Sequence, residues 1–194
     1  MKTQIIIALK MLLLMTVLTG IIYPLFITGV AQLVFPAKAN GSLIVRNDTI
    51  LGSQLIGQKF TSDKYFWSRP SAVDYNPLPS GGSNLGMTSQ KLKDTAMALR
   101  QIFTSKNYLP KNAEIPNEMF FSSASGLDPH ISVSAARLQV NRIAKSRNTG
   151  DEQINRIIDN MNESRQYFFL GQERINVLLL NLELDKVMKN GNDK

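Results

Sequence analysis

From Met11 to Phe35 the chain runs for 25 residues without a charged side chain. The polar or conformationally special positions in that run are Thr16, Thr19, Gly20, Pro24, Thr28, Gly29 and Gln32; the other 18 are apolar. At about 1.5 Å per residue a helix of this length covers roughly 37 Å, more than the ~30 Å hydrocarbon core of a bilayer. The run has no polar face, so the one-sided burial of a soluble helix does not suit it. Pro24 would break such a helix in water but is tolerated in a membrane span. A cleavable leader is the rival reading, because Lys2 and Lys10 come first and Ala37-Lys38-Ala39 resembles a cleavage site. Leader cores are usually ~7–15 residues, which favours an uncleaved anchor.

The flanks orient the span. Lys2, Lys10 and the terminal amine precede it, and every acidic residue follows it. This bias predicts a cytoplasmic tail over residues 1–10, a transmembrane helix over 11–35 and an extracytoplasmic domain over 36–194. A domain placed there has no access to cytosolic ATP, NADH or nucleic acid. The formal net charge of +7 is scattered. With no basic run interleaved with aromatics, it makes no nucleic-acid footprint. It suits a solvated surface near anionic lipid or an acidic partner. There is no cysteine and a single histidine, His130. Disulfide frameworks, thiol nucleophiles and thiolate zinc sites are excluded, and no metal site is expected.

Beyond a short linker over 36–41, Ser42 to Phe60 reads as strands around an Asn47-Asp48 turn, with Leu55-Ile56 and Phe60 in the same set. Residues 63–86, with Pro70, Pro77 and Pro79, form a long irregular stretch of the kind that is either functional or disordered. Thr88 or Ser89 caps a helix whose apolar face is Leu92, Ala96, Leu99 and Phe103. Glu118 to Ser122 reads as a buried strand. Ser132 or Ser134 starts a second helix running to about Arg147. Thr149 and Glu152 fit a capping box ahead of a third helix with Ile154, Ile157, Ile158 and Met161 on one face. Ile175 to Leu180 reads as a buried strand, and Leu182, Leu184, Val187 and Met188 as a closing helix. The fold expected is therefore one N-terminal transmembrane helix followed by a single mixed α/β (α+β) domain with a small sheet.

Three groups of residues carry candidate chemistry. Ser80-Gly81-Gly82-Ser83-Asn84-Leu85-Gly86 is a glycine-rich loop that could cradle an anion, but it lacks the Gly-Lys-Ser/Thr ending of a nucleotide-binding P-loop. A loop that lets backbone approach backbone is the plainer reading. Tyr65-Phe66-Trp67-Ser68-Arg69 combines aromatics with arginine, as protein interfaces do; equally, its rings could fasten the long loop to the core. Ser125, Asp128 and His130 lie close enough to suggest an anchored cell-envelope hydrolase, although catalytic triads are usually dispersed and no G-x-S-x-G elbow is present. On the second helix Gln139 and Arg142 are either a solvated face or part of a docking surface. A free-standing envelope ligand-binding module is a further alternative. Within the span, Thr16, Gly20 and Gly29 would admit a neighbouring helix.

Six ordered blocks, together with the anchor, resemble the C subunits of the bacterial Kdp potassium-transporting ATPase. They are Gly52 to Phe60, Tyr65 to Ala72, Ser80 to Gly86, Ser123 to Ser132, Gln139 to Ala144 and Asn176 to Asn181. Met87-Thr88-Ser89 departs from the Pro-Thr-Asn usual there. The resemblance implies a non-catalytic subunit of a hetero-oligomeric inner-membrane complex. Its partners would be a potassium-channel-like subunit and a P-type subunit that hydrolyses ATP. It implies a part in assembly and in raising that subunit's affinity for ATP. With Ser80, Gly81, Gly82, Ser83, Asn84 and Gln139 as the weak nucleotide candidates, direct ATP contact conflicts with an outer location. Tyr65, Phe66, Trp67, Arg69 and Arg142 are the candidate partner contacts.

Overall fold

The computed structural model describes residues 1–46 and 48–191. They divide into two compact units, Met1–Ser53 and Gln54–Lys194. The first unit begins with one apolar helical rod, Lys2–Val34, none of which is buried. It comprises α1 (Lys2–Val17), a wide π turn over Leu18–Ile22 and α2 (Tyr23–Val34). The π turn has a local cause. Pro24 has no N–H, and its ring clashes with the carbonyl four residues back, a conflict that a wide turn relieves. Tyr23 N–H accordingly donates to the Leu18 carbonyl, five residues back. The expected linker is partly helical, as α3 (Pro36–Ala39). Asn40 Nδ2 donates to the Pro36 carbonyl at 2.8 Å and ties that turn down.

The expected hairpin is present as β1 (Leu43–Arg46) and β2 (Thr49–Ser53), antiparallel, with a bulge between Ile44 and Val45. Asp48 adopts φ +58, as a two-residue hairpin turn requires. Asn47, the other half of the expected turn, lies outside the described residues. The strands end at Ser53, so Leu55, Ile56 and Phe60 belong to no strand.

The second unit packs helices around a single apolar core. Helix α4 (Gln90–Lys106) is capped by Ser89, whose hydroxyl accepts from Leu92 N–H. It buries Ala96 and Phe103 and half-buries Leu92 and Leu99, the expected face. The strand expected over 118–122 is instead a 3₁₀ turn at Asn117–Met119, started by Pro116. Met119 and Phe120 are adjacent yet both buried, which a strand's alternation cannot provide. The second helix is capped by Ser132 as expected but broken in two, α5 (Val133–Arg137) and α6 (Val140–Arg147). Helix α7 (Asp151–Asn160) buries Ile154, Ile157 and Ile158. Its capping box is not formed. Gly150 is the cap residue, Thr149 donates to Gln153 Oε1 at 2.8 Å, and Glu152 faces Arg156.

Strand β3 (His130–Ile131) pairs antiparallel with β4 (Ile175–Asn176), a second two-stranded sheet. The strand expected over 175–180 stops at Asn176, where α8 (Val177–Gly191) begins. The Asn176 Oδ1 accepts from Leu179 N–H and starts that helix. A short, fully buried apolar run fits strand and helix equally, and here the asparagine decides. Between α7 and β4 an antiparallel finger, residues 162–174, is held by the bridges Glu163–Arg174 and Gln166–Leu170.

Candidate functional site

Residues 62–86 contain no helix or strand, so their backbone groups need other partners. At Phe66 and Trp67 these come from side-chain amides. Phe66 N–H donates to Asn181 Oδ1 at 2.8 Å, and Asn181 Nδ2 returns a bond to the Phe66 carbonyl at 3.0 Å. Trp67 N–H donates to Gln139 Oε1 at 2.8 Å, and Gln139 Nε2 points back to the Trp67 carbonyl at 3.4 Å. Each amide thus pairs with backbone as a neighbouring strand would.

Arg142 completes the cluster. Its Nη1 donates to the carbonyls of Asp63 (2.7 Å) and Tyr65 (2.9 Å), Nη2 to Gln139 Oε1 (2.8 Å) and Nε to Asn107 Oδ1 (2.9 Å). The guanidinium also lies 4.1 Å from the Trp67 ring centre. Only 2% of Arg142 is exposed, and burial pulls its pKa down to about 10, against the opposing pull of Asp63. The fork geometry of arginine suits this set of acceptors, and lysine could not reproduce it. Beside it, Arg147 donates to Asp185 Oδ1 at 2.7 Å, and the Tyr65 hydroxyl donates to Asp185 Oδ2 at 3.0 Å. Burial, with help from Asp185, raises the Tyr65 pKa.

The structure therefore brings Tyr65, Phe66, Trp67, Gln139 and Arg142 together. Phe66, Gln139 and Arg142 are buried within the unit; Tyr65, Trp67 and Arg69 are half-buried. Asn107 and Asn181, also buried, are the partners that the sequence reading missed. Asn181 closes an otherwise apolar run, and a polar side chain so placed is a usable signal of a satisfied buried amide.

The glycine-rich loop lies elsewhere. Gly81 N–H is spent on the Ser125 carbonyl at 3.0 Å. A β-carbon at Gly82 would meet the Ala124 carbonyl at 3.2 Å. At Gly126, with φ +70, it would strike the Gly81 carbonyl at 2.8 Å. These glycines let one loop lie against another. Ser80, Ser83 and Asn84 are exposed. Gly82 and Ser83 line a 360 Å³ cavity together with Ser71, Lys91 and Thr95. Gln139 is absent from that lining, and the Gly81 amide is already engaged by the Ser125 carbonyl.

Ser125, Asp128 and His130 form no relay. The Ser125 hydroxyl accepts from Leu127 N–H at 3.1 Å within its own turn. Asp128 Oδ2 pairs with Arg69 Nη1 at 2.8 Å, and Asp128 Oδ1 accepts from His130 N–H at 3.0 Å. Burial alone would raise the Asp128 pKa. The His130 imidazole and backbone N–H, with Arg69, outweigh it and hold the carboxyl at about 2. His130 Nδ1 lies 3.7 Å from Asp128 and Nε2 lies 3.9 Å from Glu163, beside an open cavity of 430 Å³ also lined by Glu118, Glu173 and Arg174. Among the described residues no group of His, Cys, Asp and Glu is arranged to hold a metal ion.

Comparisons with known proteins cover almost the whole chain. The family model of KdpC, described as the K⁺-transporting ATPase c chain, matches residues 5–186. A potassium-transporting ATPase KdpC subunit of Allorhizobium ampelinum is 48% identical over 181 residues, 92% of this chain and 93% of the relative. That of Mycobacterium bovis is 44% identical over 189 residues, 96% of this chain and 100% of the relative. That of Leptospira interrogans is 44% identical over 179 residues, 92% of each. An apolar N-terminal rod, a compact unit of helices with small antiparallel sheets and this nearly full-length match agree: the chain belongs to the KdpC family, subunits of the potassium-transporting ATPase.

Proposed function

We propose that the chain is the non-catalytic accessory subunit of an ATP-driven potassium uptake complex. It is anchored by its N-terminal helix with residues 1–10 in the cytoplasm and its folded unit outside. There it holds together a potassium-channel-like subunit and a P-type subunit that hydrolyses ATP, and so serves assembly. The observation that carries this reading is the nearly full-length match to KdpC subunits of potassium-transporting ATPases; Ser125 meanwhile serves its own turn, and Asp128 is paired with Arg69. The apolar rod supports residence in lipid, since a helix exposed along its full length is unfavourable in water. An influence on ATP affinity then acts as a coupling free energy transmitted through the assembly. The engaged amide of Gly81 favours that route over direct contact.

Purification of the full chain from its native membrane in mild detergent tests the reading. Two large membrane subunits should accompany it, and the chain alone should hydrolyse no ester or peptide substrate. Elution alone, with hydrolytic activity that His130→Ala abolishes, would favour the envelope-hydrolase alternative. The chain has no cysteine, so a Lys111→Cys thiol reports by itself. Labelling of intact cells by an impermeant reagent is expected; labelling only after lysis reverses the orientation.

A further inference from the structure

The finger over residues 162–174 ends in four consecutive apolar side chains turned to solvent. Tyr167 is 77% exposed, Phe168 97%, Phe169 74% and Leu170 48%. Below the tip the finger is well made. Gln166 and Leu170 exchange two backbone hydrogen bonds of 2.9 Å, and Glu163 and Arg174 exchange bonds of 2.9 and 3.2 Å. Tyr167 and Phe168 both adopt left-handed backbone, φ +50 and +69. A turn that needs positive φ at successive positions is ordinarily given to Asn-Gly, which adopts it without strain. Bulky aromatics there are costly. They bury little within the described residues, so folding of the unit gives small reason for them.

The charges of the finger are equal in number but unevenly placed. Arg174 Nε pairs with Glu163 Oε2 at 2.9 Å, and Asn162 Nδ2 donates to Glu173 Oε2 at 3.3 Å. Arg165 is exposed and has no side-chain partner among the described residues. The finger thus presents an aromatic and aliphatic tip with the cation Arg165 next to it, whereas Glu173, which meets only the neutral Asn162, sits at the base and brings the finger's net charge to zero. A standard protein interface uses roughly 20–30 residues a side, far more than this tip offers. The amphipathic ring of Tyr167, two phenylalanine rings and a neighbouring arginine match the headgroup zone of a bilayer. So small an anchor would bind weakly by itself. Here the same chain carries a membrane-length apolar helix, and tethering replaces free concentration by a high effective one.

We infer that the tip Tyr167-Phe168-Phe169-Leu170, with Arg165, inserts into the headgroup region of the bilayer that the chain's own helix spans, as a second and reversible membrane contact. This rests on the anchored reading of residues 2–34, and the test separates the two. The full chain carrying Phe168→Cys with an environment-sensitive fluorophore is reconstituted into vesicles of phosphatidylglycerol and phosphatidylethanolamine containing shallow nitroxide lipids. Lys111→Cys, outside the finger, is the reference. The expected result is quenching several-fold stronger at position 168 than at 111, reduced toward the reference by Arg165→Glu. Equal weak quenching, in chains that still float with the vesicles, overturns the inference and leaves the anchor standing. Failure to float overturns both. Shielding of position 168 that appears only in the assembled complex, without nitroxide quenching, overturns it in favour of docking to a partner protein.

Discussion

Tyr65-Phe66-Trp67 and Tyr167-Phe168-Phe169 are almost the same word, and both lie outside helix and strand. Phe66 is fully buried, whereas Phe168 is 97% exposed. The difference lies in what the rest of the chain offers each. Around the first triplet, Gln139, Arg142 and Asn181 supply donors and acceptors for backbone that no ladder satisfies. Around the second, the finger satisfies its own backbone and leaves the rings outside. Aromatic content alone therefore carries no address. The polar partners a sequence supplies elsewhere decide whether a ring is core or contact.

The contrast breaks most readily at Arg142. Arg142→Ala strips donors from several acceptors at once and is expected to cost about 3–5 kcal/mol. Fluorescence of Trp67, the only tryptophan, should report it as a lower denaturation midpoint of the full chain in micelles. Arg142→Lys should recover only part of the loss, because an ammonium lacks the fork. A neutral Arg142→Ala would mean the first triplet is not pinned as described. Asn181→Ala avoids overpacking but orphans the Phe66 N–H and C=O, for an expected loss of about 2–3 kcal/mol by the same measurement.

Asp128 sharpens the comparison through pH. Its folded carboxyl sits at about 2, below the ordinary value of 3.8. The stabilisation is thus complete above pH 4 and disappears as pH falls through 2. Its partial exposure limits the contribution to about 1–2 kcal/mol. Asp128→Asn should remove that much at neutral pH and flatten the acid limb of the stability curve; an unchanged limb would exclude Asp128, held by His130 and Arg69, as its source. Least affected should be Phe168→Ser, with a shift within about 0.5 kcal/mol, since nothing in the unit rests on that ring. A large loss there would show that the finger tip packs after all.

Much of this architecture was legible in the sequence. The apolar rod, the hairpin, the Ser89 and Ser132 caps and the face of α7 follow from periodicity and capping chemistry. Local pattern failed where one residue decided between equal options. Asn176 turns the expected strand at 175–180 into the start of α8, and Pro116 turns the one at 118–122 into a 3₁₀ turn. The role of Gln139 was invisible for a different reason. It stands at the break between α5 and α6, and its amide serves Trp67, 72 positions away in sequence. No local reading contains that separation. Gly81 and Gly82 were legible as close-approach residues, but the surface they approach, Ala124 and Ser125, was not.

The wide turn at Leu18–Ile22 bears on how the rod meets its surroundings. One additional residue per turn advances the angular phase by about 100°. A helical wheel drawn straight through residues 2–34 consequently misplaces one half against the other by more than a quarter revolution. On a straight wheel Thr16 and Gly29 stand about 220° apart, and the wide turn brings them to about 120°, so a neighbour of the rod meets them on different faces in either case.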